Sequence, residues 1–236
     1  LLKAKPAPRI STGDAELSAL LRILPYQLTA AQQRVVAEIR TDMADPHPML
    51  RLVQGDVGSG KTVVAALTAL AVIAGGGQVA LMAPTELLAE QHARSFAAWF
   101  DGLGIETVFL SGKLGAVGRR HALQRIQAGA PMVIGTHALM QDHVRYAKLE
   151  LVIIDEQHRF GVDQRLSLRD KGEREMVSPH QLILTATPIP RTLAMSAYAD
   201  LDVSIIDELP PGRTPVQTVA LANSRRDEVI SRIQDY

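Results

Sequence analysis

Gly55 is followed, after four residues, by Gly60-Lys61-Thr62, inside the stretch Gln54-Gly55-Asp56-Val57-Gly58-Ser59-Gly60-Lys61-Thr62. Glycine lets successive backbone N–H groups converge on an anion with no Cβ in the way. In that pattern Gly55, Gly58, Ser59 and Gly60 wrap a phosphate, the Lys61 ammonium would reach the β- and γ-phosphates of a nucleotide, and the Thr62 hydroxyl would ligate Mg²⁺. A hydrolytic site of this kind also needs carboxylates. Asp155-Glu156 follows the apolar run Val152-Ile153-Ile154; Asp155 is expected to hold Mg²⁺, directly or through water, and Glu156 to orient and deprotonate the attacking water. The plainer readings are a glycine-rich turn and a charged end to a strand. The loop's spacing and the context of both segments weigh against them.

Such residues need elements to hold them. Met49–Val53 suits a short strand and Val63–Ala71 a buried helix, so the loop joins strand to helix and sets phosphates at a helix N-terminus, where unpaired N–H groups and the dipole favour negative charge. Upstream, Ala15–Leu24 carries Leu17, Leu20, Leu21 and Leu24 at helical spacing for packing. Thr29 reads as the cap of a helix with Val35, Val36 and Ile39 on one side and Gln32 in its first turn. Downstream, Gly75-Gly76-Gly77 turns the chain into a strand over Gln78–Met82, and Pro84-Thr85-Glu86 opens a helix to Trp99. Further strands are expected at Ile105–Leu110, Pro131–Ile134, Leu149–Ile154 and Gln181–Leu184, with weaker ones at Val203–Ile206 and Val216–Leu221. Arg119-Arg120-His121 is expected to end a loop that starts at Ser111-Gly112-Lys113; its basic residues are candidate phosphate contacts or simply a solvated surface. Strands alternating with helices predict a mostly parallel sheet covered on both faces, whose ligands collect beyond the carboxyl ends of the strands.

The 236 residues can bury a large core, and hydrophobic types make up 47% of them. No apolar run approaches the roughly 20 residues needed to cross a bilayer, so no membrane segment is expected. Lys plus Arg and Asp plus Glu both number 25, so a polyanion must be held by local basic positions and not by a global field. The absence of cysteine excludes disulfides, thiolate metal sites and cysteine nucleophiles, and is compatible with a reducing cytoplasm.

Asp155-Glu156-Gln157-His158 resembles the DExH-type box of the superfamily 2 helicases and translocases. Five more segments resemble that family's motifs in order: Leu28–Gln32 the Q motif, Gly55–Thr62 motif I, Ala83–His92 motif Ia, Gly135-Thr136-His137 motif Ib, and Thr185-Ala186-Thr187 motif III. Asp155–Val162 and Thr185–Thr192 are most similar to the helicases that remodel branched DNA; the transcription-repair coupling translocases share Arg159-Phe160-Gly161 and Pro188-Ile189-Pro190-Arg191-Thr192, and Gln157, where those translocases are expected to carry Glu, favours the former. The resemblance implies a RecA-like P-loop NTPase lobe, mostly parallel β-sheet with helices on both faces, that uses ATP and Mg²⁺. It also implies roles. Gln32 would bond the adenine edge and Tyr26 would cover its face; Gln157, His158, Thr185 and Thr187 would couple the phosphate site to DNA. Pro84, Thr85, Gly135, Thr136, His137, Arg159 and Arg191 would meet the DNA backbone without reading sequence.

The boundaries expected from this resemblance are a linker or end of a preceding region over 1–23, the first motor lobe over 24–221, and the approach to a second lobe over 222–236. A motor of this family closes two lobes around ATP, and the motifs present are those of the first. The chain alone is therefore expected to bind nucleotide weakly and hydrolyse it slowly. A P-loop module that binds without translocating, and a small-molecule kinase, are the competing readings. Glu156 argues against the first and the Pro84-Thr85-Glu86, Gly135-Thr136-His137 and Thr185-Ala186-Thr187 set against the second.

Overall fold

A computed structural model of the chain describes residues 6–10, 14–155, 177–187, 201–208 and 218–234. Their strands are β1 (Leu50–Gly55), β2 (Gln78–Met82), β3 (Thr107–Leu110), β4 (Met132–Gly135), β5 (Leu149–Asp155), β6 (His180–Thr185) and β7 (Asp202–Ile206). The helices are α1 (Asp14–Ile23), α2 (Ala30–Ala44), α3 (Lys61–Ala74), α4 (Glu86–Phe100), α5 (Ala116–Gln127) and α6 (Arg226–Gln234).

The seven strands form one sheet in the order β3-β4-β2-β5-β6-β1-β7, with every pairing parallel. Strand side chains alternate between two layers, as the pleat requires. Val79, Leu81, Leu151, Ile153, Leu182 and Leu184 join one core with α1, α2, α3 and α4; Ala80, Met82, Val152 and Ile154 join a second with α5. Burial on both faces explains why β5 is apolar nearly throughout. Helix α3 is alanine-rich and buried over Val63–Val72, and these small side chains let it lie close to the sheet.

Three expectations need correction. Arg119, Arg120 and His121 lie within α5, not in a loop. Residues 218–221 form no strand. Leu21 is 40% exposed, whereas Leu17, Leu20 and Leu24 are buried against the main core. The linker-like composition of the first residues also conceals firm attachment at Pro6–Ile10. The Ala7 N–H donates to Pro46 O, that of Ile10 to Met43 O, and that of Ser178 to Pro6 O. The fully buried His180 completes this seam: its Nδ1 accepts from the Met49 N–H at 3.0 Å and its Nε2 donates to Pro8 O at 2.7 Å. Nearby, the Arg51 guanidinium on β1 is spread over Asp42, Glu38 and Ser204, tying α2 and β7 to the same strand.

Candidate nucleotide site

Because the strands are parallel, the segments leaving them share one rim, and the sheet order decides which are neighbours. Gln54 of β1 pairs with Thr185 of β6, and Leu184 of β6 pairs with Asp155 of β5. The phosphate loop, motif III and the acidic box therefore leave adjacent strands. On the other side of β5, Met82 of β2 pairs with Gly135 of β4, which groups Pro84-Thr85 with Gly135-Thr136-His137. The rim has a nucleotide half and a second half made of the expected DNA-backbone segments.

In the loop, Gly58 and Gly60 have φ of 78° and 87°, a left-handed region that glycine enters without penalty. Gly60 is the N-cap of α3, so the loop delivers its N–H groups to that helix's start. Lys61 Nζ donates to Gly55 O at 2.7 Å and Asp56 O at 2.9 Å, which holds the ammonium across the loop. Ser59 is buried, and its hydroxyl has no hydrogen-bond partner among the described residues. A buried donor within a cradle of N–H groups suits a phosphate oxygen. Thr62, next to Lys61 in the first turn of α3, is half-buried.

Gln32 is more deeply built in than a first-turn glutamine suggests. Its N–H donates to Thr29 Oγ1 and its Oε1 accepts from the Thr29 N–H, a capping box that starts α2. Its Nε2 donates to Ser59 O at 2.8 Å. A Cβ at Gly60 would lie 2.2 Å from that nitrogen, so this glycine makes room for Gln32 as well as for an anion. The side chain, 2% exposed, thus braces the phosphate loop with one N–H while its Oε1 serves the capping box. Tyr26, in the segment before α2, is 45% exposed, and burial of the remainder raises its phenol pKa.

A second latch joins α2 to the far edge of the sheet. The Ala31 N–H donates to Glu208 Oε2 at 3.0 Å, and Arg34 donates to Ile205 O and to Asp207 Oδ1. The first contact places a carboxylate at a helix N-terminus, where the dipole favours it.

Asp155 is the last residue of β5 and is nearly buried; His92 Nε2, on α4, donates to its Oδ2 at 2.7 Å. Sequence reasoning missed His92, because nothing in the local pattern marks a contact 63 residues away. Thr185 is buried; its hydroxyl accepts from the Thr187 N–H and lies 2.9 Å from the exposed Thr187 hydroxyl. Glu156, Gln157, His158, Arg159 and Arg191 lie outside the described residues.

On the other half of the rim, Thr85 is exposed and caps α4 by accepting the Leu88 N–H, which leaves its own hydroxyl hydrogen to donate. Pro84 beside it is half-buried and His137 is exposed. Thr136 is buried and turned inward, capping a short 3-10 turn over His137–Met140. A Cβ at Gly135 would lie 2.0 Å from Leu110 O, and Gly135 O accepts the Ala83 N–H, so close strand packing already accounts for this glycine. Lys113 pairs with Glu86 at 2.5 Å, and Arg119 donates to Gln141.

A glycine loop entering a helix, an acidic strand end and a Thr-Ala-Thr segment on adjacent parallel strands are the layout of a P-loop NTPase fold. The chain belongs to the DEAD/DEAH box helicases, whose family model matches residues 29–196. It is 61% identical over 229 residues to the ATP-dependent DNA helicase RecG of Escherichia coli O157:H7, covering 97% of this chain and 33% of that one. To RecG of Aquifex aeolicus it is 46% identical over 235 residues, 99% of this chain and 29% of the relative. The solved structure of RecG bound to a three-way DNA junction matches 99% of this chain and 31% of its own with a TM-score of 0.87 and 38% identity. The DEAD-box helicase Mss116, at 17% identity and a TM-score of 0.66, shares the fold. The fold is accordingly that of a RecA-like helicase lobe. The chain spans about a third of the length of the curated relatives it matches.

Proposed function

We propose that this chain is the ATP-binding first motor lobe of an ATP-dependent DNA helicase that remodels branched DNA, working in the cytoplasm beside a second RecA-like lobe. The observation that carries the reading is the placement of the phosphate loop, Asp155 and Thr185 on adjacent parallel strands. The 61% identity to a RecG helicase supports it, and so does the similarity to RecG on a DNA junction. Among the described residues no helix is long and apolar enough to cross a membrane.

In this reading the loop N–H groups and the Ser59 hydroxyl bind phosphate oxygens, while Lys61 gives up its two carbonyl contacts for the β- and γ-phosphates. Thr62 and Asp155 would hold Mg²⁺, which would supply charge neutralisation on the phosphates when bound. Glu156 orients the attacking water and takes its proton. Gln32 bonds the adenine edge from its brace on Ser59, so base recognition and loop position share one side chain. Thr85, with Pro84 and His137, meets a DNA strand through its backbone.

Two substitutions in a protein carrying this chain at the full length of its relatives test the mechanism. Lys61→Ala removes the phosphate clamp and abolishes both tight ATP binding and turnover. Glu156→Gln keeps ATP binding and lowers turnover by at least 100-fold, about the contribution of a general base. Equal loss of ATP affinity in the two variants contradicts the separate roles.

A further inference from the structure

We propose that His92 is a positioning residue of the nucleotide site: it fixes the carboxylate of Asp155 so that one oxygen remains for Mg²⁺ or its water. The proposal rests on the reading of Asp155 as the metal-holding carboxylate. His92 Nε2 donates to Asp155 Oδ2 at 2.7 Å, and both side chains are nearly buried, at 10% and 13% exposure. A carboxylate has two oxygens and rotates about its own bond; one short hydrogen bond from a buried ring stops that rotation. With Oδ2 engaged, Oδ1 is the remaining ligand atom. The donor is present whether the ring is neutral as the Nε2–H tautomer or charged.

The placement of His92 adds a second aspect. It lies on α4, seven residues beyond the N-cap Thr85, two helical turns along the same face. Asp155 lies on β5, between the strand that leads into α4 and the strand that ends in Thr185. The hydrogen bond therefore ties the helix that opens at the expected DNA-facing segment to the carboxylate at the centre of the rim. A purely structural histidine would also join α4 to β5, and the difference between the roles is measurable. A positioning residue acts on the metal, a structural one on the fold.

The experiment uses a protein carrying this chain at the full length of its relatives and reads the binding of fluorescent ADP, in EDTA and across a Mg²⁺ titration. His92→Leu removes the donor at similar bulk, and His92→Gln keeps an amide N–H near the place of Nε2. Outer-shell partners of metal ligands are typically worth about 10–100-fold in metal affinity. His92→Leu should raise the Mg²⁺ concentration for half-maximal enhancement by that factor and leave ADP affinity in EDTA unchanged; His92→Gln should recover most of the loss. Unchanged Mg²⁺ dependence in His92→Leu overturns the proposal, as does equal loss of ADP affinity with and without Mg²⁺. If His92→Leu does not fold, His92→Ala takes its place with the same readings: a Mg²⁺ midpoint raised about 10–100-fold with ADP affinity in EDTA unchanged supports the proposal, and an unchanged midpoint or an equal loss with and without Mg²⁺ overturns it. A wild-type protein whose ADP binding ignores Mg²⁺ overturns the nucleotide-site reading itself, and this proposal with it.

Discussion

His180 shows how a single buried side chain can make the fold sensitive to pH. Burial lowers its pKa from the ordinary histidine value, against the opposing pull of the Pro8 carbonyl and the Asp42 charge. Its Nδ1 must stay unprotonated to accept the Met49 N–H. Between the folded and unfolded pKa values the unfolded chain binds more protons, so stability rises with pH there. The stabilisation is complete above about pH 6.5 and is lost as pH falls through the lower folded value. The melting temperature should therefore drop between pH 7.5 and 5.5, and His180→Asn should be less stable at pH 7.5 yet have a flatter slope. Parallel slopes for the two proteins would refute this. At the same scale the sequence placed the glycine loop, Asp155 and Thr185 at the ends of strands, and the structure sets those three strands side by side. The sequence could not reveal Gln32 as a brace on Ser59 or His92 as the partner of Asp155, because those contacts span 27 and 63 residues.

Strands read well from the sequence because burial on both faces leaves them apolar, whereas α5 did not. Among its twelve residues Ala122 and Ile126 are the buried ones, and glycine and arginines fill its first turns, so its apolar stripe is too thin to show. The end of β4 illustrates a different limit: Gly135 was expected at a DNA contact, yet its packing against β3 is what admits no side chain. Gly135→Ala should push Leu110 O away and loosen the β3–β4 edge. The expected result is a lower denaturant midpoint, with faster amide exchange in Thr107–Leu110 than in β5 or β6. Unaltered exchange at that edge would contradict the steric reading.

Parallel alternation predicted the sheet's class and the gathering of the motifs at one rim, but not the order β3-β4-β2-β5-β6-β1-β7. That order depends on which faces complement one another across the whole chain. It divides the rim into a phosphate half and a second half joined through β5 and β2. In the proposed two-lobe motor an arginine from the facing lobe would complete the site, a group worth about 10³–10⁵ in rate in other NTPases. This chain alone should therefore turn over ATP well below about 1 per second even with branched DNA present, the lower end of ordinary phosphoryl-transfer rates. A coupled phosphate-release assay at or above that rate would overturn the need for a second lobe in this reading.

The clasp of Glu208 on Ala31 gives the molecule a short mechanical path. Glu208 just after β7 accepts from the first turn of α2, and the next residue of that turn, Gln32, donates to the carbonyl of Ser59. Glu208, Ala31 and Gln32 thus form a three-residue bridge from the end of β7 to the floor of the phosphate loop.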